Sequence, residues 1–236
     1  MLEGSNLLSQ LRGNDLAILA DIASETYFRA GDTFYEPGDW VDHCYFPSGG
    51  AIGSYLVPGA KSEAVEIVMI GREGAIGGIV SNGQLPSYAR AVVMHEGHFY
   101  KIPIDKLEEA KRQSAGIRHL FDRYADCLMA QVFQSIACNA THTIEQRAAK
   151  WLVAAIDRAG QFNITMTQEQ LASMMGIGRS YASRVIQRFK RDGLLNTRRG
   201  GFKVLDRGGL ADRSCNCDAL VRDHFGKVLG GVYPDG

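Results

Sequence analysis

At Pro103 the hydrophobic pattern of this chain changes period, and few folds accommodate both halves. Upstream, turn signals recur at short intervals: Ala30-Gly31-Asp32, Pro37-Gly38-Asp39, Pro47-Ser48-Gly49-Gly50, Pro58-Gly59 and Ser81-Asn82-Gly83. Between them lie short apolar, β-branched or aromatic runs at 32–35, 43–46, 64–70, 89–94 and 98–102. Short strands separated by turns predict an antiparallel β-roll, or jelly roll, with a leading helix over 9–24 at one end. Downstream, Ile117, Leu120, Phe121, Tyr124, Leu128, Val132, Phe133 and Ile136 recur every three or four residues. That spacing predicts one helix over 104–138, with Gly116 as its weak point, about 50 Å long. Its apolar stripe needs a cover. The roll supplies too little surface, so the expected cover is a second copy of the chain, with Ile117, Leu120, Phe121, Tyr124, Leu128, Val132 and Ile136 at the dimer interface. The alternative is a helix packed wholly within its own subunit.

From Thr143 onward the pattern breaks into shorter helices. Residues 146–159 read as a helix ended by Gly160, and Thr167 with Gln170 forms a capping box for a helix over 168–175. Gly176-Ile177-Gly178 stops that helix, and a basic amphipathic helix over 179–192 follows at once, the pattern of a helix-turn-helix. Residues 196–205 then read as a hairpin turning at Gly200-Gly201, a wing. The predicted class is α+β: a β-roll sensor over 1–103, a dimerisation helix over 104–139, a winged helix-turn-helix over 140–210 and a C-terminal tail over 211–236.

Charge divides the chain in the same place. The 236 residues carry no net charge, yet residues 1–140 hold 11 basic against 17 acidic side chains and residues 141–236 hold 15 against 9. Between Arg179 and Arg207 nine basic residues face only Asp192 and Asp206, which points to a polyanionic partner for the second half. No apolar run approaches the ~18 residues of a membrane helix, and the first 16 residues lack the pattern of a secretory signal, so a soluble, cytoplasmic protein without a membrane partner is expected.

Double-stranded DNA is the polyanion that fits best. Arginines five apart at the start of a helix reach neighbouring base pairs in the major groove, which makes Arg179 and Arg184, with Ser180 beside them, the candidate base readers. Gln168, Tyr181, Ser183, Arg188, Arg198 and Lys203 are candidate phosphate contacts, with Lys190 and Arg199 adding charge. Any one of the helix cations reads equally well as part of a solvated face; the signal is collective. The rival from another class is a sensory module whose winged unit contacts a protein.

The run Thr167-Gln168-Glu169-Gln170-Leu171-Ala172-Ser173-Met174-Met175-Gly176, continued by Arg179-Ser180-Tyr181-Ala182-Ser183-Arg184-Val185-Ile186 and Asp192-Gly193-Leu194-Leu195, resembles the signature of the Crp/Fnr superfamily of bacterial transcription regulators. So does Ala30-Gly31-Asp32 followed by Glu36-Pro37-Gly38-Asp39. The resemblance covers nearly the whole chain. It implies a homodimer on an inverted-repeat operator, and RNA polymerase as a further candidate partner, for which the residues carry no signature. Arg179 and Arg184 match the base-reading arginines of the cyclic-AMP-receptor branch, whereas Ser180 stands where that branch has glutamate. In the cyclic-nucleotide-binding members a glutamate holds the ribose and an Arg-Ser pair grips the phosphate. Here the corresponding positions are Gly78, after Gly77, and Ser87-Tyr88, with Arg90 nearby. These five residues mark the candidate effector pocket. Cyclic AMP is not the expected ligand, and the effector is unnamed.

Other chemistries find less support. An iron–sulfur cluster of the Fnr type needs several N-terminal cysteines, and Cys44 stands alone in the first 100 residues. Cys127 and Cys138 read as packing residues, with redox control across a dimer as the alternative. Cys215 and Cys217, with Asp218 and His224, offer a redox switch or soft-metal site but depart from C-x-x-C spacing; the reading adopted is a thiol pair without function, and no metal ligands are assigned. His43, His95, His98 and His119 are available as haem ligands, and their spacing selects none. His95-Glu96-Gly97-His98 suggests a cupin metal enzyme, but the spacing is HxxH without the matching glutamate, so no enzymatic activity is expected.

Overall fold

The computed structural model describes residues 2–59, 64–79 and 85–233. The turn expected at Ser81-Asn82-Gly83 lies outside them. A 3-10 turn, Leu8–Gln10, and helix α1, Gly13–Ile22, precede the strands β1 (Ser24–Phe28), β2 (Thr33–Tyr35), β3 (His43–Pro47), β4 (Ile52–Pro58), β5 (Ala64–Ile70), β6 (Arg90–His95) and β7 (Gly97–Pro103). They form two antiparallel sheets, β1-β7-β3 and β2-β6-β4-β5, and isolated bridges pair Trp40 with Pro86 and Tyr45 of β3 with Ile76. Phe28, Phe34, Tyr45 and Phe99 fill the space between them, with ring centroids 4.7–5.6 Å apart. This is the expected roll. The leading helix is shorter than 9–24: it begins at Gly13, and Ser24 onward pairs with β7 from Ser24–Lys101 to Phe28–Gly97. The aromatic and β-branched run Thr26-Tyr27-Phe28 gains more on a pleated sheet than in a final helical turn.

The single long helix expected over 104–138 is two helices, α2 (Ile104–Gln113) and α3 (Ala115–Thr141). The break falls at Ser114, which is extended; its Oγ accepts from the Ile117 N–H at 3.2 Å and donates to Asp15 Oδ1 at 2.6 Å. A serine that caps the next helix competes with helix continuation. Gly116 serves close packing there, since a Cβ would sit 2.3 Å from Asp15 Oδ2 and 3.0 Å from the Tyr233 ring.

The second half comprises α4 (Ile144–Ala159), β8 (Asn163–Thr165), α5 (Gln168–Met174), α6 (Arg179–Arg191), β9 (Leu195–Arg198), β10 (Gly201–Val204), α7 (Arg207–Arg213) and α8 (Cys217–Leu229). Residues 211–236, read as a tail, thus contribute the end of α7 and all of α8, which returns to α3. Val221, Phe225, Leu229 and Val232 share a core with Ile117, Leu120, Phe121 and Tyr124. Those last four, expected at a dimer interface, are at most 1% exposed within one chain and leave no surface for a partner. Leu128 and Val132 lie half-buried against the roll. Only the last turns of α3 present apolar side chains to water, at Met129, Phe133 and Ile136, which are 48%, 62% and 63% exposed.

One buried cation joins the three parts. Arg158 on α4 pairs with Glu73 of the roll at 2.7 Å and with Asp218 of α8 at 3.3 Å. Burial pushes the Glu73 carboxyl up, but Arg158 pulls it further down, to a value below the ordinary 4.5. Its contribution to stability is therefore complete above about pH 4.5 and drains as pH falls through the lower value reached in the folded state. Arg158→Ala, which strands two carboxylates, should cost about 3–5 kcal/mol in urea unfolding at neutral pH. It should also flatten the acid limb of the stability profile. A loss under about 1 kcal/mol would show that the pair behaves like an exposed one.

Candidate nucleic-acid interface and roll cavity

The helix-turn-helix is built by local capping. Thr167 Oγ1 accepts from the Gln170 N–H at 3.1 Å and Gln170 Oε1 accepts from the Thr167 N–H at 2.8 Å, so α5 starts where the sequence predicts. Gly176 adopts φ +64°, left-handed backbone that suits glycine, and Gly178 is extended and starts α6. Ala182, Val185, Ile186 and Phe189 of α6 are buried against the unit's core. The other face presents Arg179, Ser180, Tyr181, Arg184 and Gln187 to solvent.

The first turn of α6 holds no acidic residue, and its backbone N–H groups carry the positive end of the helix dipole. Arg179 makes no ion pair or hydrogen bond with any described residue. The Arg184 guanidinium lies over the Tyr181 ring, 5.1 Å from its centroid, which limits the rotamers it samples. Of the other predicted contacts, Gln168 and Ser183 are half-buried, while Arg198 and Lys203 project from the exposed wing together with Arg199. The wing turns at Arg199-Gly200, with Gly200 at φ +75°, one residue before the expected Gly200-Gly201. Gly201 is needed in β10 itself, because β8 passes so close that a Cβ there would lie 2.0 Å from the Ile164 carbonyl oxygen. Arg188 differs from the expectation of a phosphate contact: Glu145 holds it, and Arg213 pairs with Glu145 at 3.1 Å and with Asp192 at 3.0 Å. This network ties α6 to α4 and α7. Glu145 precedes its partner by 43 residues, beyond any local sequence rule.

The roll holds a cavity of about 400 Å³. Tyr35, Tyr55, Val57 and Ile67 line it from the sheets, and Leu128 and Val132 from α3. Gly77, Gly78, Ser87 and Tyr88, four of the five predicted pocket residues, also line it. Arg90, the fifth, faces elsewhere, with Nε 3.0 Å from Glu36 and Nη2 donating to Thr33 Oγ1 at 3.2 Å. No charged side chain lines the cavity among the described residues, and residues 80–84 contain none. The hydroxyls are engaged locally: Tyr55 Oη accepts from the Gly77 N–H at 2.8 Å, Tyr35 donates to the His43 carbonyl at 2.7 Å, and Ser87 donates to the Ala89 carbonyl at 2.7 Å. Gly77 itself sits at φ +108°, and a Cβ there would lie 2.3 Å from the His43 carbonyl oxygen, so its role is a tight backbone approach.

None of His43, His95, His98 and His119 lines the cavity. His95 and His98 also part company, the first meeting Gln161 at 2.6 Å and the second Glu25 at 3.2 Å. Cys44 and Cys127 are buried packing residues, whose thiols burial pushes up, to about 11 for Cys127. Cys215 and Cys217 are buried beside Cys138 and His142, a grouping missed in the sequence because the two halves come from the end of α3 and the start of α8. Asp218 and His224 are not part of it, and Asp218 binds Arg158 and Arg222 instead. Among the described residues no helix is long and apolar enough to cross a membrane.

Comparison with known proteins agrees with this architecture. Residues 146–213 match the family model of the Crp-like helix-turn-helix domain. The transcriptional activator protein FnrA of Stutzerimonas stutzeri is 23% identical over 219 residues, covering 89% of this chain and 88% of that protein. The transcriptional regulatory protein btr of Bordetella pertussis is 22% identical over 187 residues, 76% of each. Among solved structures, FixK2 from Bradyrhizobium japonicum superposes with a TM-score of 0.67 at 15% identity, over 82% of this chain and 98% of that one. Residues 146–213 thus carry a Crp-like helix-turn-helix domain, and the chain, with a β-roll and a long helix ahead of it, is similar over most of its length to transcriptional regulators of the Crp/Fnr type.

Proposed function

We propose that this DNA-binding transcription regulator acts as a homodimer on an inverted-repeat operator, with Arg179, Ser180 and Arg184 at the base edges. The observation that carries the reading is the first turn of α6, where, among the described residues, Arg179 has no hydrogen-bond or ion-pair partner and Arg184 is held only by the Tyr181 ring, at a helix end that attracts anions. Arg198, Arg199 and Lys203 on the wing, with Gln168, Tyr181 and Ser183, meet the phosphates and set the register. Arg188 supports the site from behind, through Glu145.

The dimer forms through the exposed end of α3. Met129, Phe133 and Ile136 recur at helical spacing on one face, and pairing that face with its two-fold copy removes it from water. Two-fold symmetry then places two recognition helices about 34–36 Å apart on successive major grooves. The effector is an uncharged or largely apolar small molecule, because the described cavity lining offers neither a cation for a phosphate nor a carboxylate for a ribose. No reaction is assigned to the chain.

Fragment selection on random and genomic DNA should enrich an inverted repeat. On the best site Arg184→Ala should cost about 1–3 kcal/mol and relax the preference at one position of each half-site, whereas Lys203→Ala should weaken all sequences alike and lower the salt slope by about one phosphate contact per subunit. Equal loss on every sequence for Arg184→Ala would remove its base-reading role.

The double variant Phe133→Asp, Ile136→Asp should sediment as a folded monomer at micromolar concentration and lose affinity for the full repeat. A variant that stays dimeric would place the interface elsewhere.

Calorimetric titration with cyclic AMP should show no binding at concentrations up to the millimolar range. Saturable binding displaced by a Tyr55→Trp change would overturn the apolar-effector reading.

A further inference from the structure

Three thiols and one imidazole meet where α3 ends and α8 begins. Cys138 lies on the last turn of α3, His142 is the extended residue that ends that helix, and Cys215 and Cys217 flank Asn216 at the start of α8. The donor atoms of all four lie within 4.8 Å of one another. Cys138 Sγ is 3.6 Å from Cys215 Sγ, and Cys217 Sγ is 3.6 Å from His142 Nδ1. Four ligands at ordinary zinc bond lengths, ~2.3 Å to sulfur and ~2.0–2.1 Å to nitrogen, stand at tetrahedron edges of about 3.6–3.8 Å. The Cys138–Cys215 and Cys217–His142 separations match those edges, and the other donor pairs lie within 4.8 Å, about an ångström of closure at most. They are too long for a disulfide bond of about 2.05 Å. They are also too short for a [4Fe–4S] cube, which interposes its irons and sulfides between its cysteines.

We propose that Cys138, His142, Cys215 and Cys217 form a tetrahedral site for one zinc ion per chain, which staples the C-terminal helix α8 to the end of α3. Soft thiolates with one imidazole, four ligands and no open position are the donor set of a structural zinc centre. The surroundings suit the charge: three thiolates and a divalent cation leave one negative charge, and the Lys150 ammonium lies 3.6 Å from Cys138 Sγ. Gln134 Nε2 donates to Cys217 Sγ at 3.1 Å, fixing that sulfur as outer-shell partners do. The N-terminus of α8 adds its dipole at Cys217. A small cleft lined by Gln134, Lys150 and Cys217 gives an entry path. Binding displaces the three thiol protons to solvent, so uptake is weaker at acid pH. The ion sits at the corner where α3 gives way to α4 at Thr143, and so fixes the attachment of the helix-turn-helix unit.

The full-length protein, purified with reductant and without chelator, is analysed for metals, and its zinc is then exchanged for Co²⁺. The expected result is about one zinc per chain, and on exchange the intense visible bands of tetrahedral cobalt with thiolate charge transfer in the near ultraviolet. Cys215→Ser with Cys217→Ser should lower metal content at least tenfold, Cys44→Ser and Cys127→Ser should leave it unchanged, and His142→Cys should keep the ion with a shifted cobalt spectrum. Should the double variant fail to fold, the unmodified protein and the His142→Cys variant still decide the matter. Zinc far below one per chain with no tetrahedral cobalt spectrum, iron with acid-labile sulfide, or a disulfide among Cys138, Cys215 and Cys217 in the freshly isolated protein would each overturn the site. None of these readouts depends on DNA binding.

Discussion

A helix of 27 residues is about 40 Å long, and every apolar side chain along α3 has to be taken out of water by something. The chain covers them in succession. Over Ile117, Leu120, Phe121 and Tyr124 lie α8 and the N-terminal leucines; the roll covers Leu128 and Val132; the last turns, with Phe133 and Ile136, are left to a second copy of the chain in the proposed dimer. That order dictates much of the remaining architecture. The chain has to come back about a hundred residues later to close the first section, which makes its C-terminus part of the core of the long helix. It also confines the apolar surface of α3 itself that is still open to a partner to one end of the helix, next to the winged unit.

The second consequence is that the winged unit is docked against the roll. Arg158 reaches Glu73, Trp151 Nε1 donates to Glu66 Oε1 at 2.8 Å, and Ser173 Oγ donates to the Ala64 carbonyl at 3.2 Å. Burial pushes the Glu66 carboxyl up, while the partly buried carboxyl of Glu73 is held down by a guanidinium. Glu73 has a guanidinium in direct contact, whereas Glu66 has the Trp151 indole N–H and the Ser54 hydroxyl, with the charges of Lys150 and Arg158 acting more weakly. Buried ionic contacts of this kind have strict geometry and lose much when only one partner is kept, so they suit a joint that must hold a single arrangement.

Local rules made the winged unit legible. The capping box at Thr167, the glycine turn at Gly176 and the two-residue wing turn are set by residues within four positions of one another, and each lies within about two residues of its expected place; the capping box at Thr143, equally local, went unread. What failed to show depended on pairs distant in sequence. Ser114 breaks the long helix partly because Asp15 accepts from it across 99 positions. The apolar stripe of α3 predicted a partner, and α8, hidden in what reads as a polar tail with scattered apolar residues, takes half of it. Cys215 and Cys217 lacked a recognisable metal spacing because their companions, Cys138 and His142, lie more than 70 residues earlier. Arg188 read as a solvated or phosphate-binding cation, and only the fold brings Glu145 to it. Periodicity shows which face is apolar; it does not say which of several surfaces covers it.

The placement of the cavity bears on how a signal reaches DNA. Leu128 and Val132 line it, while Met129 and Phe133, one residue further on, face outward, about 100° around the same helical turns. A molecule filling the cavity and a partner chain on the outer face therefore bear on one segment of α3 from two sides. Any ligand that packs better against one angular setting of that segment than another shifts the dimer toward the setting it prefers, and by no more than that difference in affinity. The far end of α3 leads into α4 at Thr143, Glu145 on the first turn of α4 holds Arg188 of α6, and Cys138 and His142 stand beside Cys215 and Cys217 at the same corner. In the proposed dimer, these contacts across the His142-Thr143 joint are the route by which a rotation of α3 would reach the first turn of the recognition helix.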